Sequence, residues 1–387
     1  MRLALLFLFM SASLQAQSIL VPYDHHLPNS REIEIQVEFL NEFDAGKETV
    51  FLLEDAFDVL FVPFYEMLEI TESSNIVLIK GRKDNEELRS GVMHSGVPDY
   101  RLAYKLYNQD QVARDIELIR KKLIGDEQAI LLGYSSSATV LQHYLTLFPE
   151  HVSRIISVNP LVFDIQKNLS FPPYDLFFQE LKLNQEQVVD FSYYANYDRE
   201  SVRMKSRSMH NLLEFMKYQD FLTGFSAREN IEENFGLAVR LFEHSLALMG
   251  LQDASPKTNP SLDLMKKWSQ PIWDAYLKTN FPIYGTNYDR MLEFQGRMVL
   301  IGAAFDQMIY PKSYDILAEF YANCTLLLLK DGHALQQVMG DAAIDELLAA
   351  FISNDLAQKV AAYKKLSDSN LIFEKYNEGD YKIPPLF

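Results

Sequence analysis

A serine attacks an acyl carbon readily only when a base takes its proton and a third group orients that base. Three residues of this 387-residue chain are placed for such chemistry. Ser135 lies in Gly133-Tyr134-Ser135-Ser136-Ser137, between an apolar run and a segment of helical periodicity. This is the pattern G-x-S-x-G with Ser137 at the second glycine, and small flanking residues suit a tight strand-to-helix turn. Asp306 stands a few residues beyond the apolar run 297–303, and His333 just beyond 325–331. The competing account of the serines is that Ser136 or Ser137 merely caps the helix. The handover from buried strand to helix favours the nucleophile, so Ser135, His333 as base and Asp306 as its orienting partner are the candidate catalytic residues.

Short apolar runs at 32–40, 49–54, 75–80, 129–134, 152–160, 297–303 and 325–331 read as buried strands of a mostly parallel sheet. Helical periodicity fills the gaps. The stretch 110–123 sets Val112, Ile116, Ile119 and Leu123 on one face, and 137–148 does the same with Val140, Leu141, Tyr144 and Leu147. A further helix, 312–322, lies between the last two strands. Strand and helix in alternation predict an α/β fold with helices on both faces of the sheet. Loops at the carboxyl ends of parallel strands share one rim, so three residues distant in sequence can meet there. The span 162–288 breaks the rhythm. It offers no comparable strand and is punctuated by Pro172, Pro173, Pro256, Pro260, Pro271 and Pro282, which predicts an inserted helical cap. The core is then 17–161 with 289–387. After Asn354 the chain reads as helical, and it ends in an extended surface segment, 382–387.

The 53 acidic against 36 basic residues give a formal net charge of -17, which repels nucleic acid and anionic lipid. The expected partner is a small-molecule or peptide substrate. Residues 1–16 carry a basic start at Arg2, an apolar run and a small, polar end, the pattern of a secretory signal peptide cut near Ala16. Export to the periplasm or the medium is expected. Cys324 is the only cysteine, so no intrachain disulfide forms, and its apolar neighbours predict a buried, inert thiol.

The chain resembles the α/β-hydrolase superfamily, within it the prolyl aminopeptidase and tripeptidyl aminopeptidase-like group. The resemblance rests on residues 21–39, 106–123, 131–160 and 299–333 and covers most of the chain. The order serine, aspartate, histidine is the one that superfamily uses. The resemblance implies that Ser135, Asp306 and His333 are the catalytic residues. It further implies peptidase work from a free amino terminus, or ester hydrolysis. From composition alone, the acidic residues of the cap, such as Glu180, Asp190 or Glu200, offer a carboxylate to a peptide amine, and an ester needs no such site.

One segment departs from the family. Its His-Gly-Gly-Pro-Gly run, which shapes the oxyanion hole, is replaced by Glu54-Asp55-Ala56-Phe57-Asp58. Of a following Asp-Gln-Arg-Gly motif with a later Gly and Ser, Arg82 and Ser90 remain. The oxyanion donors expected here are the backbone N–H of Asp55 or Ala56 together with that of Ser136. Three carboxylates beside the hole would oppose a developing oxyanion. A catalytically weak or inactive binding protein on the same fold is therefore the alternative to an enzyme. No cofactor or metal is expected. The single His pair, His25-His26, reads as a surface pair, and no H-E-x-x-H run exists.

Overall fold

The computed structural model describes residues 15–56, 73–161, 234–251, 265–303, 314, 317–318, 321, 323–329, 335, 343–369 and 371–377. These build one nine-stranded sheet. Its strands are β1 (Gln15–Pro22), β2 (Glu32–Phe39), β3 (Glu48–Leu53), β4 (Ser74–Ile79), β5 (Ala129–Tyr134), β6 (Val152–Val158), β7 (Arg297–Ala303), β8 (Cys324–Leu329) and β9 (Ile372–Asn377). Across the sheet the order is β1-β2-β4-β3-β5-β6-β7-β8-β9. The six strands from β4 to β8 run parallel. The edges do not. β2 is antiparallel to both β1 and β4, and β9 is antiparallel to β8.

The difference between centre and edge has a cause in residue type. Central strands are buried on both faces, so they are continuous apolar runs. Every residue of β4, β5 and β8 is buried. Strand β2 instead alternates, with Ile33, Ile35 and Val37 buried and Glu32, Glu34 and Gln36 exposed. One of its faces is wet, and its alternation marks an antiparallel margin. The expectation that 32–40 joins the parallel set is corrected on this point. Strand β9 carries Glu374, Lys375 and Asn377, so no apolar run announces it.

Each face of the sheet holds its own core. Phe51 and Leu53 of β3 pack into one, Val50 and Leu52 into the other, as the two-residue period of a strand requires. The first face is covered by α2 (Tyr100–Tyr107), α3 (Gln109–Ile124) and α4 (Ser136–Leu147), which follow α1 (Glu86–Val92). It is extended by α5 (Phe235–Leu251) and α6 (Gln270–Thr279). The second face is covered by α7 (Ala343–Ser353) and α8 (Leu356–Asp368), through Leu347, Phe351, Ala362 and Leu366. Val112, Ile116 and Ile119 of α3 point into the first core as their spacing predicts. Helix α4 is buried on all sides from Ser136 to Thr146, which its one-sided apolar pattern does not announce. Of the span 162–288, residues 162–233 and 252–264 lie outside the described residues, and the elements in the remainder are helices. Among the described residues no helix is long and apolar enough to cross a membrane.

Candidate active site

Ser135 sits between β5 and α4 in a conformation that L-residues seldom adopt, φ 53° and ψ −121°. Such a backbone costs on the order of 1–3 kcal/mol and persists only where its surroundings enforce it. Here they do. The Ser135 N–H donates to the carbonyl of Val158 on β6 at 2.8 Å, and its own carbonyl accepts the Thr139 N–H at 3.2 Å. A Cβ on Gly133 would lie 2.7 Å from both N and Cα of Ala138, so the turn closes only with glycine there. At the second glycine position, Ser137 Oγ turns back. It accepts the Tyr134 N–H at 3.0 Å and donates to the Tyr134 carbonyl at 2.7 Å, which latches the turn.

The helix-cap account of the three serines fails on this geometry. The cap residue of α4 is Ser135, and it makes no side-chain cap bond. Ser137 latches Tyr134, and Ser136 Oγ donates to Asp55 Oδ2 at 2.7 Å. The Ser136 N–H opens the first turn of α4, where backbone donors and the helix dipole favour an anion.

Strands β5, β7 and β8 end on one rim. Tyr134 pairs with Val158, Val158 with Ile301, and Ala303 with Leu329. The chain therefore leaves β7 and β8 on the rim that carries Ser135. Asp306 and His333 follow those exits and lie outside the described residues, as do Phe57, Asp58 and the cap carboxylates Glu180, Asp190 and Glu200. Asn159 holds the β7 exit. Its N–H donates to the Ile301 carbonyl at 2.8 Å, and its Oδ1 accepts the Ala303 N–H at 2.7 Å.

The segment that replaces the glycine run begins straight after β3. Its carboxylates are not bare. Glu54 is bridged to Lys80 at 2.7 Å and Lys83 at 2.9 Å. Burial would raise its carboxyl, but hydrogen bonds from the two lysines outweigh this and hold it below the ordinary range. Asp55 is buried, and Arg240 of α5 grips it through Nε at 3.1 Å and Nη2 at 3.1 Å. Both carboxylates thus carry cationic partners. Beside them Glu243 accepts from Arg240 and takes the Gln109 N–H at 3.0 Å. Burial pushes the Glu243 carboxyl up to about 7 against the pull of Arg240. His244 Nε2 lies 3.5 Å from Ser136 Oγ, and burial, reinforced by Arg240, pushes that imidazole down to about 3. A cavity of about 170 Å³ opens along this edge, lined by Thr139, Glu243, His244, Ile283, Tyr284 and Tyr288 among others.

A family model described as alpha/beta hydrolase fold matches residues 89–337. The chain belongs to that family. No curated protein matches it. Among solved structures, a probable hydrolytic enzyme from Pseudomonas aeruginosa PAO1 aligns at 13% identity and a TM-score of 0.43. That alignment covers 87% of this chain and 94% of the other. A Bacillus megaterium epoxide hydrolase aligns at 14% identity and a TM-score of 0.42, covering 87% of this chain and all of its own. A hydrolase from Oleispira antarctica aligns at 16% identity and a TM-score of 0.40, over 82% and 94%.

Other residues singled out in the sequence serve this α/β hydrolase differently. His25 and His26 are not a surface pair. His25 Nε2 meets Asp115 at 2.6 Å, while His26 bridges to Asp110 at 3.1 Å and stacks on Tyr284 with ring centroids 4.5 Å apart. They fasten the chain after β1 to α3, and among the described residues no third ligand joins them. Arg82 is fully buried and chelates Asp115 at 2.6 and 2.8 Å, whereas Ser90 is exposed on α1. Cys324 is buried, and burial pushes its thiol up.

Sequence reasoning missed Arg240, Glu243, His244 and Asn159. The first three have a signal. Helix α5 is apolar over most of its length, and three ionisable residues at i, i+3 and i+4 share one of its faces. Residues of that kind inside a buried helix are retained where partners wait for them. Asn159 had no such signal, because its role depends on a left-handed φ of 45° at a strand end.

Proposed function

We propose that this α/β hydrolase is an exported serine hydrolase working through an acyl-enzyme on small esters or peptides. The observation that carries the reading is the strained Ser135 turn, forced by Gly133 and latched by Ser137. Its Oγ attacks the acyl carbon while His333 takes the proton and Asp306 holds the imidazole tautomer. The tetrahedral oxyanion meets the N–H of Ser136 and that of Asp55 or Ala56. The imidazolium returns the proton to the leaving alcohol or amine, and water then releases the acyl group from Ser135. The sequence resemblance favours the aminopeptidase-like form of this activity, with 162–288 as a cap over the site.

A fluorophosphonate tests the reading directly. Ser135 Oγ bonds to phosphorus, fluoride leaves, and the base keeps the serine proton. Wild type is expected to gain the phosphonyl mass on the peptide bearing Ser135, and S135A to gain none. Equal labelling of both removes Ser135 from the chemistry. One observation favours a second reading, a catalytically silent binding protein: Ser135 is 0% exposed. Complete absence of labelling, together with no turnover of p-nitrophenyl esters or aminoacyl anilides, selects that reading.

A further inference from the structure

The residue that grips the segment after β3 lies within the span 162–288, on α5. Two backbone donors must be held in register for an oxyanion, one after the nucleophile and one in the loop after β3. In this chain a single carboxylate joins the two segments that carry them. Asp55 belongs to the loop, and its Oδ2 accepts Ser136 Oγ at 2.7 Å. That carboxylate is itself fixed by Arg240, whose Nε lies 3.1 Å from both Asp55 oxygens. The guanidinium also donates to Glu243, which ties the cluster to the start of α3 through the Gln109 N–H. Arg240, Asp55, Ser136 and Glu243 are all buried. The approach of α5 is close: a Cβ on Gly236 would lie 3.1 Å from Lys83 Cα and 3.3 Å from Ala56 Cβ.

We propose that Arg240 is a positioning residue of the oxyanion hole, holding the Asp55 carboxylate across the Ser136 and Asp55–Ala56 segments and cancelling its charge there. The role rests on Ser135 being the nucleophile. A glycine run shapes such a hole by backbone freedom alone. Here a planar, permanently charged fork does the shaping, because a guanidinium can hold a carboxylate by two bonds at once. The charge balance matters as much as the geometry. An anion beside a second, developing anion opposes it strongly where water is excluded. With Arg240 in place the pair is close to neutral, and the donors face the oxyanion without that opposition.

The test is the rate of fluorophosphonate labelling at Ser135, followed by mass spectrometry, in wild type, R240M, R240K, D55N and R240M/D55N. Far-UV circular dichroism and thermal melting normalise each rate to folded protein. R240M is expected to slow labelling by about 10²-fold, the scale of one lost oxyanion donor. R240K keeps the charge and is expected to recover about tenfold of that loss. Once Asp55 is neutral, Arg240 has no charge to cancel beside Ser136, so R240M/D55N is expected to label within about threefold of D55N. In steady state with an ester, the loss in R240M falls on kcat and leaves KM within about threefold. A folded R240M that labels like wild type overturns the proposal, as does an R240M/D55N variant at least about tenfold slower than D55N. If R240M fails to fold, the comparison of R240M/D55N with D55N decides alone, because Asp55 is then neutral and the Glu243 carboxyl, already pushed up by burial, can hold a proton once Arg240 is gone. Labelling of wild type with no effect at Arg240 sinks only this role. No labelling of wild type sinks the nucleophile and this role together.

Discussion

Gly133 and Ala138 touch backbone to backbone across the turn that carries Ser135. A Cβ on Gly133 would stand 2.7 Å from Ala138 N and Cα, and 2.9 Å from Leu141 Cδ1. The obstacle is the first turn of a helix that is itself buried on all sides, so it has nowhere to retreat. G133A is therefore expected to cost about 2–3 kcal/mol of unfolding free energy, the upper part of the range for overpacked cores. Urea denaturation measures this. Fluorophosphonate labelling of the fraction still folded is expected to fall as well, because relieving the clash relaxes the Ser135 turn. A folded G133A with unchanged stability would show that the turn does not depend on this contact.

Among the described residues, Arg82 and Asp115 form the most completely buried ion pair, with side chains 1% exposed on each side. The guanidinium spends its remaining donors on the carbonyls of Pro22, Tyr23 and Leu106. It thus stitches the end of β1 to α2 and α3. Removing one partner of such a pair leaves buried charge and buried carbonyls behind, at about 3–5 kcal/mol. R82M is expected to lose stability on that scale in urea melts. R31M, at an exposed pair with Glu87, is expected to lose less than about 1 kcal/mol.

The central strands and the Ser135 turn were legible because their physics is local. A strand buried on both faces must be continuously apolar, and a tight strand-to-helix turn must be built from small residues. The edges were less legible. Strand β9 reads "IFEKYN", since a margin needs only a ladder partner, and Leu326 and Leu329 of β8 provide one. The oxyanion segment was legible as a departure but not as a solution. Asp55 looked like an uncompensated anion because Arg240 lies 185 residues away in sequence. Pairing across that distance is a property of the fold and leaves no trace in spacing.

Glu243 and His244 are neighbours whose ionisations bias stability in opposite directions. Burial pushes the Glu243 carboxyl up from 4.5 to about 7. Its contribution is complete below pH 4.5 and is lost as pH rises towards 7. Burial and then Arg240 push the His244 imidazole down from 6.5 to about 3. Its contribution is complete above pH 6.5 and is lost as pH falls towards 3. Between pH 4.5 and 6.5 the two slopes oppose each other. Relative to wild type, H244Q is expected to become less stable as pH rises through that window, and E243Q more stable. Denaturant midpoints at half-unit pH steps read this out. Parallel profiles for the two variants would mean that neither group titrates differently in the folded chain.

Asn159 links the end of β6 to the exit of β7 by a pair of bonds, one from its own N–H to Ile301 and one from the Ala303 N–H to its Oδ1. Its φ of 45° lies in the left-handed region, where asparagine and glycine are tolerated better than other residues. N159G keeps that backbone freedom and removes the side-chain carboxamide, leaving the buried Ala303 N–H to lose its bond at about 1–3 kcal/mol. N159A removes the acceptor and adds backbone strain of about 1 kcal/mol or more. The expected order of stability is wild type, then N159G, then N159A. Because Ala303 leads to Asp306, fluorophosphonate labelling of Ser135 is expected to slow in both variants by about tenfold per folded molecule. A common slowing despite unequal stabilities assigns Asn159 to the placement of the β7 exit. Labelling rates that instead follow the unequal stabilities would confine it to folding.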